Sequence, residues 1–260
     1  MIGQDLLLTK LDSYSVDIFP KSNLLIGEKG CGKHSFVAHF CMNNDIDMLD
    51  ISDYISHEFL LSLYTKPNQV SYIIDINKIS EKSRYLNKEN ALLKFIEEPP
   101  INAFIFVLVE YDIQVLDTIR NRCIEWKFNP YTISELKSLR MFNDDRVYSI
   151  LNTPGKLIKG GPEEYYLEGF DLCNKILDNI KKANISNTLS LDRHLSKYDL
   201  SVLLSIMRTI LYNRCKGIWD KKNIDAYNLT LSCIRKSHVF NINKQSLFDN
   251  FILELKSIYD

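Results

Sequence analysis

The 260-residue sequence has no C-x-x-C cysteine pair, almost no net charge and no long apolar run. Its cysteines are scattered, at positions 31, 41, 123, 173, 215 and 233, which argues against a zinc site or a disulfide framework and suits a reducing compartment. The formal charge of −1 gives no bulk sign of nucleic-acid binding, so any DNA contact has to come from a local surface. No run approaches the length of a membrane span, and the first five residues do not have the pattern of a signal peptide.

What the sequence does contain is enough apolar residues for real cores, 45% of the chain. Over residues 1–130, short apolar runs alternate with segments of helical period. The runs predict strands at 23–26, 46–51, 70–76, 104–109 and 123–128. Nearly continuous apolar strands separated by helices are typical of an α/β fold, in which a mostly parallel sheet is covered on both faces.

After Pro130 the pattern changes to helices only. Short helices are predicted between 134 and 158, with a turn at 152–155, and the Gly-Gly-Pro run at 160–162 is the best linker candidate. Beyond it, apolar residues recur at helical spacing. These predicted buried faces comprise Leu167, Phe170, Cys173, Ile176, Leu177 and Ile180; Leu200, Leu203, Leu204, Met207, Ile210 and Leu211; and Leu247, Phe248, Phe251, Ile252 and Leu255. The chain thus divides into an α/β core at 1–130, a small helical lid at 131–160 and a helical domain at 163–260.

Residues 27–34 read GEKGCGKH and fit the phosphate-loop pattern G-x-x-x-x-G-K, directly between a predicted strand and a predicted helix. Gly27, Gly30 and Gly32 let the backbone wrap around phosphates, and Lys33 is placed to reach the β- and γ-phosphates. The next position usually holds a serine or threonine whose hydroxyl binds magnesium. His34 stands there instead, and imidazole is a poor ligand for a hard ion that prefers oxygen.

Three further segments follow the phosphate loop in order. The apolar strand at 70–76 contains Asp75 followed by Ile76, residues 90–100 (NALLKFIEEPP) predict a helix stopped by two prolines, and residues 118–123 read TIRNRC. Together with the loop, these segments resemble the small subunits of sliding-clamp loaders, the δ′/γ-type subunits of bacterial DNA polymerase III. Those subunits are ATPases of the AAA+ class.

The resemblance implies roles for individual residues. Asp75 matches the family's magnesium-associated aspartate, but Ile76 replaces the glutamate that orients the attacking water. Lys156 stands where the lid of the family often has a sensor arginine. Arg122 matches the arginine of a Ser-Arg-Cys motif, which points into the nucleotide of a neighbouring subunit, with Asn121 in place of the serine. The family's other sensor residue has no clear counterpart among residues 110–112.

These matches imply an AAA+ core, a lid and an all-α collar that holds subunits in a ring. The chain is expected to be a δ′-like stator that binds ATP and magnesium weakly, hydrolyses little itself and supplies Arg122 to a neighbour. Implied partners are other clamp-loader subunits in a pentamer, a sliding clamp and primer–template DNA, in the cytoplasm of a bacterial or phage-infected cell. Zinc is not implied, because the cysteines of the family's zinc module are missing.

Three alternatives remain open at this point. The chain could be a hydrolysing motor subunit of the same machine, which would need a substitute for the missing hydroxyl and glutamate. It could be a non-catalytic adaptor that uses an AAA+ fold only for binding. A P-loop nucleotide kinase is the most distant alternative, and the EEPP run at 97–100 and the helical C-terminal region count against it.

Overall fold

The computed structural model describes residues 2–81, 85–110, 115–181, 197–217, 220–237 and 243–260. The chain forms two compact units, one made of residues 1–139 with 152–159 and the other of residues 140–151 with 160–260. Residues 131–160, predicted as a lid, are divided between the two units. The division into a core at 1–130, a lid at 131–160 and a helical domain at 163–260 stays a prediction.

The first unit is built on a five-stranded sheet. Its strands are β1 (Ser22–Ile26), β2 (Asp47–Asp50), β3 (Val70–Asp75), β4 (Ala103–Val109) and β5 (Ile124–Lys127). They lie in the order β2-β3-β4-β1-β5, and every neighbouring pair is parallel. The predicted α/β class and the predicted strands are confirmed.

In the described part of the first unit, eight helices connect and cover these strands. They are α1 (Asp5–Asp12), α2 (Lys33–Asn44), α3 (His57–Leu63), α4 (Ile76–Glu81), α5 (Tyr85–Glu97), α6 (Asp117–Arg120), α7 (Ile133–Lys137) and α9 (Pro154–Ile158). Helix α5 ends at Glu97, two residues before the first proline, as the sequence predicts, because proline cannot continue a helix. The predicted turn at 152–155 was wrong at its end, since Pro154 begins α9; proline's fixed φ suits the first position of a helix.

Side chains alternate between the two faces of the sheet and form a core on each. In β4, Ile105 and Val107 pack on one face, and Phe104 and Phe106 pack on the other. The first face is covered by α3 and α5, and the second by α1 and α2. The second core includes Trp126, which is 1% exposed and donates from Nε1 to an asparagine oxygen of β1 at 2.9 Å. A sheet buried on both sides explains why its strands read as continuous apolar runs.

The second unit is helical, and its described part contains α8 (Asp145–Ile150), α10 (Glu163–Lys181), α11 (Leu200–Gly217), α12 (Lys221–Ser237) and α13 (Lys244–Tyr259). The faces predicted from helical spacing are buried, except that Leu167, Phe170, Leu247 and Ile252 are half-buried. Within the described ranges, no helix has both the length and the apolar character needed to cross a membrane.

Candidate functional site

The phosphate-loop pattern adopts the expected local structure. Residues 27–32 follow β1 and lead directly into the 12-residue helix α2. Gly30 and Gly32 have φ values of 81° and 105°, which a residue with a side chain rarely adopts. A Cβ on Gly27 would lie 2.7 Å from Cβ of Phe128. The loop therefore has the tight backbone and the helix N-terminus that phosphate binding requires.

Lys33 is turned inward onto the loop. Its side chain is buried, at 8% exposure, and its ammonium donates to the carbonyl oxygens of Gly27 and Glu28, the latter at 3.1 Å. The Sγ of Cys31 is 4.0 Å away. The sequence predicts that this ammonium binds phosphate, but in the structure it is bound by carbonyl oxygens of the loop itself. A bound phosphate would have to replace these carbonyl oxygens as the acceptor.

Residues 152–156 lie against the tip of the phosphate loop. The hydroxyl of Thr153 donates to the Lys29 carbonyl at 2.8 Å, and the backbone N–H of Gly155 donates to the Gly30 carbonyl at 2.9 Å. A Cβ on Gly155 would lie 2.6 Å from the Gly30 Cα. The two backbones approach this closely because neither residue has a side chain.

Lys156, predicted from the sequence as a nucleotide-binding residue, is beside the loop and is paired within it. Its ammonium lies 3.1 Å from Oε2 of Glu28 and 2.9 Å from Oδ1 of Asn152. Sequence reasoning missed Glu28 as the partner. The two residues are separated by 128 positions, and no local pattern links them.

Asp75 lies at the carboxyl end of β3, where its carboxylate accepts from the backbone N–H of Asn77 at 3.0 Å. The neighbouring strand β2 ends in Asp50, whose Oδ2 is 2.5 Å from the ammonium of Lys78. Burial raises the pKa of the Asp50 carboxyl, but hydrogen bonds from Lys78 and Ser52 outweigh it and lower that pKa overall. The ammonium of Lys78 thus occupies the Asp50 carboxylate at this edge of the sheet.

The remaining residues of this region are a poor match for magnesium. His34 is exposed on the first turn of α2, and partial desolvation lowers its pKa, although the charges of Asp75 and Asp50 act in the opposite direction. Ile76 is buried, at 7% exposure. One of the two carboxylates at this edge, Asp50, is paired with Lys78, and an imidazole beside the other does not complete the oxygen-rich set that magnesium prefers. Among the residues described, no group of three or more His, Cys, Asp or Glu side chains could hold a metal ion.

Of the sensor candidates at 110–112, only Glu110 is within the described residues, where it is half-buried. Positions 111 and 112 lie outside them.

Arg122 is fixed by two acceptors. Its Nε donates to Oε2 of Glu97 at 3.0 Å, and one terminal nitrogen donates to the Thr118 carbonyl at 2.8 Å. The residue lies two positions before the start of β5, where Ile124 pairs with Asn23 at the beginning of β1. Arg122 therefore lies at the amino edge of the sheet.

The phosphate loop and Arg122 lie at opposite edges of the same sheet. Gly27 follows the carboxyl end of β1, while Arg122 lies beside its amino end. Five strand residues separate the two edges, a distance on the order of 15 Å. The structure thus gathers Gly27, Gly30, Gly32, Lys33 and Lys156, with His34 and Asp75 at the same edge, and leaves Arg122 apart from them.

A parallel sheet in this order, with a phosphate loop after β1 and a helical region following it, is the fold of P-loop proteins of the AAA+ class. A DNA polymerase III gamma subunit-related protein from Thermotoga maritima has the same fold, with a TM-score of 0.50 and 14% identity over 98% of this chain and 99% of that one. Residues 42–132 match the family described as DNA polymerase III, delta subunit. The resemblance to clamp-loader small subunits is confirmed.

Two other solved structures are similar at lower TM-scores. The RuvB Holliday junction branch migration motor of T. maritima has a TM-score of 0.47 and 17% identity, covering 82% of this chain and 76% of that one. The DNA clamp loader delta protein of Bacillus subtilis has a TM-score of 0.36 and 9% identity, covering 97% and 99%. No curated protein sequence matches the chain.

A first prediction concerns Lys33. Lys33→Ala is expected to weaken ATP binding by at least about tenfold, because it would remove the charge-assisted contact to phosphate that the phosphate-loop pattern predicts for this lysine. Isothermal titration calorimetry with ATP would measure this. Lys29→Ala is the matched control, since Lys29 is an exposed lysine of the same loop. Equal affinities for both variants and the wild type would mean that the loop does not bind phosphate through Lys33.

Proposed function

We propose that this chain is a stator subunit of a sliding-clamp loader, which completes the ATPase site of a neighbouring subunit with Arg122. The observation that carries the proposal is the separation of Arg122 from the chain's own phosphate loop. An arginine at the amino edge of the sheet is too far from a nucleotide held at the carboxyl edge. Its charge can act on a phosphoryl group only if that group belongs to another chain.

The residues around the chain's own loop support a weak or absent hydrolysis. A buried isoleucine at position 76 cannot orient water, and no hydroxyl is available at position 34. Asp75 is partly engaged by the backbone of α4. The replacements at positions 76 and 34 each remove a group on which phosphoryl transfer depends.

Nucleotide binding is proposed to be weak, because ATP must displace internal partners of two lysines. The Lys33 ammonium contacts loop carbonyls, and Lys156 is paired with Glu28. Partners follow from the family resemblance: other clamp-loader subunits in a pentameric ring, a ring-shaped clamp, and primer–template DNA. In this arrangement the ring opens the clamp and places it on DNA.

The proposal is tested by reconstitution with an ATPase subunit of the same replication system. The isolated chain is expected to turn over far less than about one ATP per second, the lower range for kinases. Addition of the chain should raise the ATPase of the partner subunit in the assembled complex. Size-exclusion chromatography with light scattering would establish the assembly, and a coupled phosphate assay would measure turnover.

Two outcomes would overturn the proposal. Turnover of one per second or faster by the isolated chain would show a motor subunit. An assembled complex whose ATPase does not depend on the chain would show an adaptor that contributes binding alone.

A further inference from the structure

Glu97 is an acidic residue in the last turn of α5 and is exposed. A carboxylate at the C-terminal end of a helix faces the negative end of the helix dipole, so it does not help the helix itself. Its structural use is outside the helix, where it accepts from Nε of Arg122 at 3.0 Å. Glu97 thus contacts Arg122, the residue that in the proposed function acts on the nucleotide of a neighbouring subunit.

The end of α5 is held firmly in place. Phe95 and Ile96 are each 1% exposed, and the Ile96 carbonyl accepts from the hydroxyl of Ser22 at 2.6 Å. One residue beyond Glu97, the Glu98 carbonyl accepts from the hydroxyl of Tyr64 at 2.7 Å. The backbone on both sides of Glu97 is therefore anchored to the rest of the unit, and its carboxylate starts from a fixed point.

The guanidinium of Arg122 is oriented by two elements at once. Glu97 at the end of α5 takes its Nε–H, and the Thr118 carbonyl of α6 takes one terminal N–H. Two acceptors on a planar group fix the plane as well as the position, because the donors of arginine form a rigid fork. The other N–H groups of the fork can then meet a phosphate oxygen with little further loss of rotamer freedom.

We propose that Glu97 is a positioning residue for Arg122, which orders the guanidinium before a neighbouring nucleotide-bearing subunit docks. The inference rests on the proposed function and deepens it. Without Glu97, the arginine keeps its charge but has to be ordered during each catalytic cycle. The free-energy cost of ordering one long side chain corresponds to a rate that is lower by about 2- to 10-fold.

The test compares Glu97→Ala with Glu98→Ala in the reconstituted complex of this chain and its ATPase partner. Glu98 is the matched control because it is the adjacent exposed glutamate at the same helix end. Glu97→Ala is expected to lower kcat of the complex about 2- to 10-fold with KM for ATP unchanged, and Glu98→Ala to leave both unchanged. Glu97→Gln, which retains an oxygen acceptor of the same size, should restore part of the loss.

A double variant separates positioning from a general structural effect. If Glu97 acts through Arg122, then adding Glu97→Ala to Arg122→Ala should cause no further loss. Wild-type kcat for Glu97→Ala would overturn the inference, as would a raised kcat, which would mean that Glu97 masks the arginine. An additive loss in the double variant would overturn it too. Wild-type activity of Arg122→Ala alone would instead overturn the proposed function.

Discussion

Replacing Arg122 with alanine is expected to lower ATP turnover at the adjoining site of the complex by on the order of 10³-fold. An arginine supplied across an interface stabilises charge that develops on the transferring phosphoryl group, and its removal costs rate in this range. In the proposed ring, which would hold several such sites, total ATPase falls only by the share that this site contributes. Single-turnover measurement, with the other sites inactivated in the partner subunit, would isolate the effect.

Arg120→Ala is the matched control for this prediction. Arg120 is two residues away and pairs with Glu125 within the same unit. Its replacement should leave turnover near the wild-type value. The melting temperature of Arg122→Ala should stay close to that of the wild type, because its pair with the exposed Glu97 is a surface ion pair of the kind that contributes little to stability. A complex that assembles with Arg122→Ala and hydrolyses ATP normally would leave the stator proposal without support.

Gly155→Ala is expected to destabilise the protein by about 1–3 kcal/mol, the usual cost of overpacking. Alanine normally stabilises a helical position relative to glycine by about 0.5–1 kcal/mol. Here the new methyl group would lie 2.6 Å from the Cα of Gly30 and 3.0 Å from its carbonyl oxygen. Backbone atoms cannot rotate away, so the loop or residues 152–156 must shift. Differential scanning calorimetry should show a Tm lower by several degrees.

Gly161→Ala provides the control for Gly155→Ala. A Cβ on Gly161 meets no atom within 4 Å, and its φ is not in the left-handed region. The same chemical change there should leave the Tm unchanged or slightly raised. If Gly155→Ala melts no lower than Gly161→Ala, then the close approach of the loop and residues 152–156 does not contribute to stability.

Local periodicity was enough to predict most of the secondary structure. The sheet follows from short apolar runs, and α5 follows from helical spacing ended by prolines at 99 and 100. The buried faces of α10, α11 and α13 follow from apolar residues on one side of each helix. These rules need only neighbours along the chain. They failed at Pro154, where a proline that usually marks a turn begins a helix instead.

The candidate site was predictable in its residues and much less so in its contacts. Gly30 and Lys33 were found because the phosphate-loop pattern is local. Nothing in the sequence predicted that Glu28 would pair with Lys156, or that Lys78 would pair with an aspartate of β2. Such pairs join segments that are distant in sequence, and charged residues by themselves do not specify a partner.

By itself, the sequence determined that this chain has a phosphate loop on a parallel sheet, followed by helices, because each of these features is set by local spacing and residue type. Only the tertiary structure decided where Arg122 lies. The parallel register of β5 against β1 places it at the edge opposite the phosphate loop, and the end of α5 places Glu97 against it. Those positions depend on long-range strand pairing and packing, which no local pattern specifies.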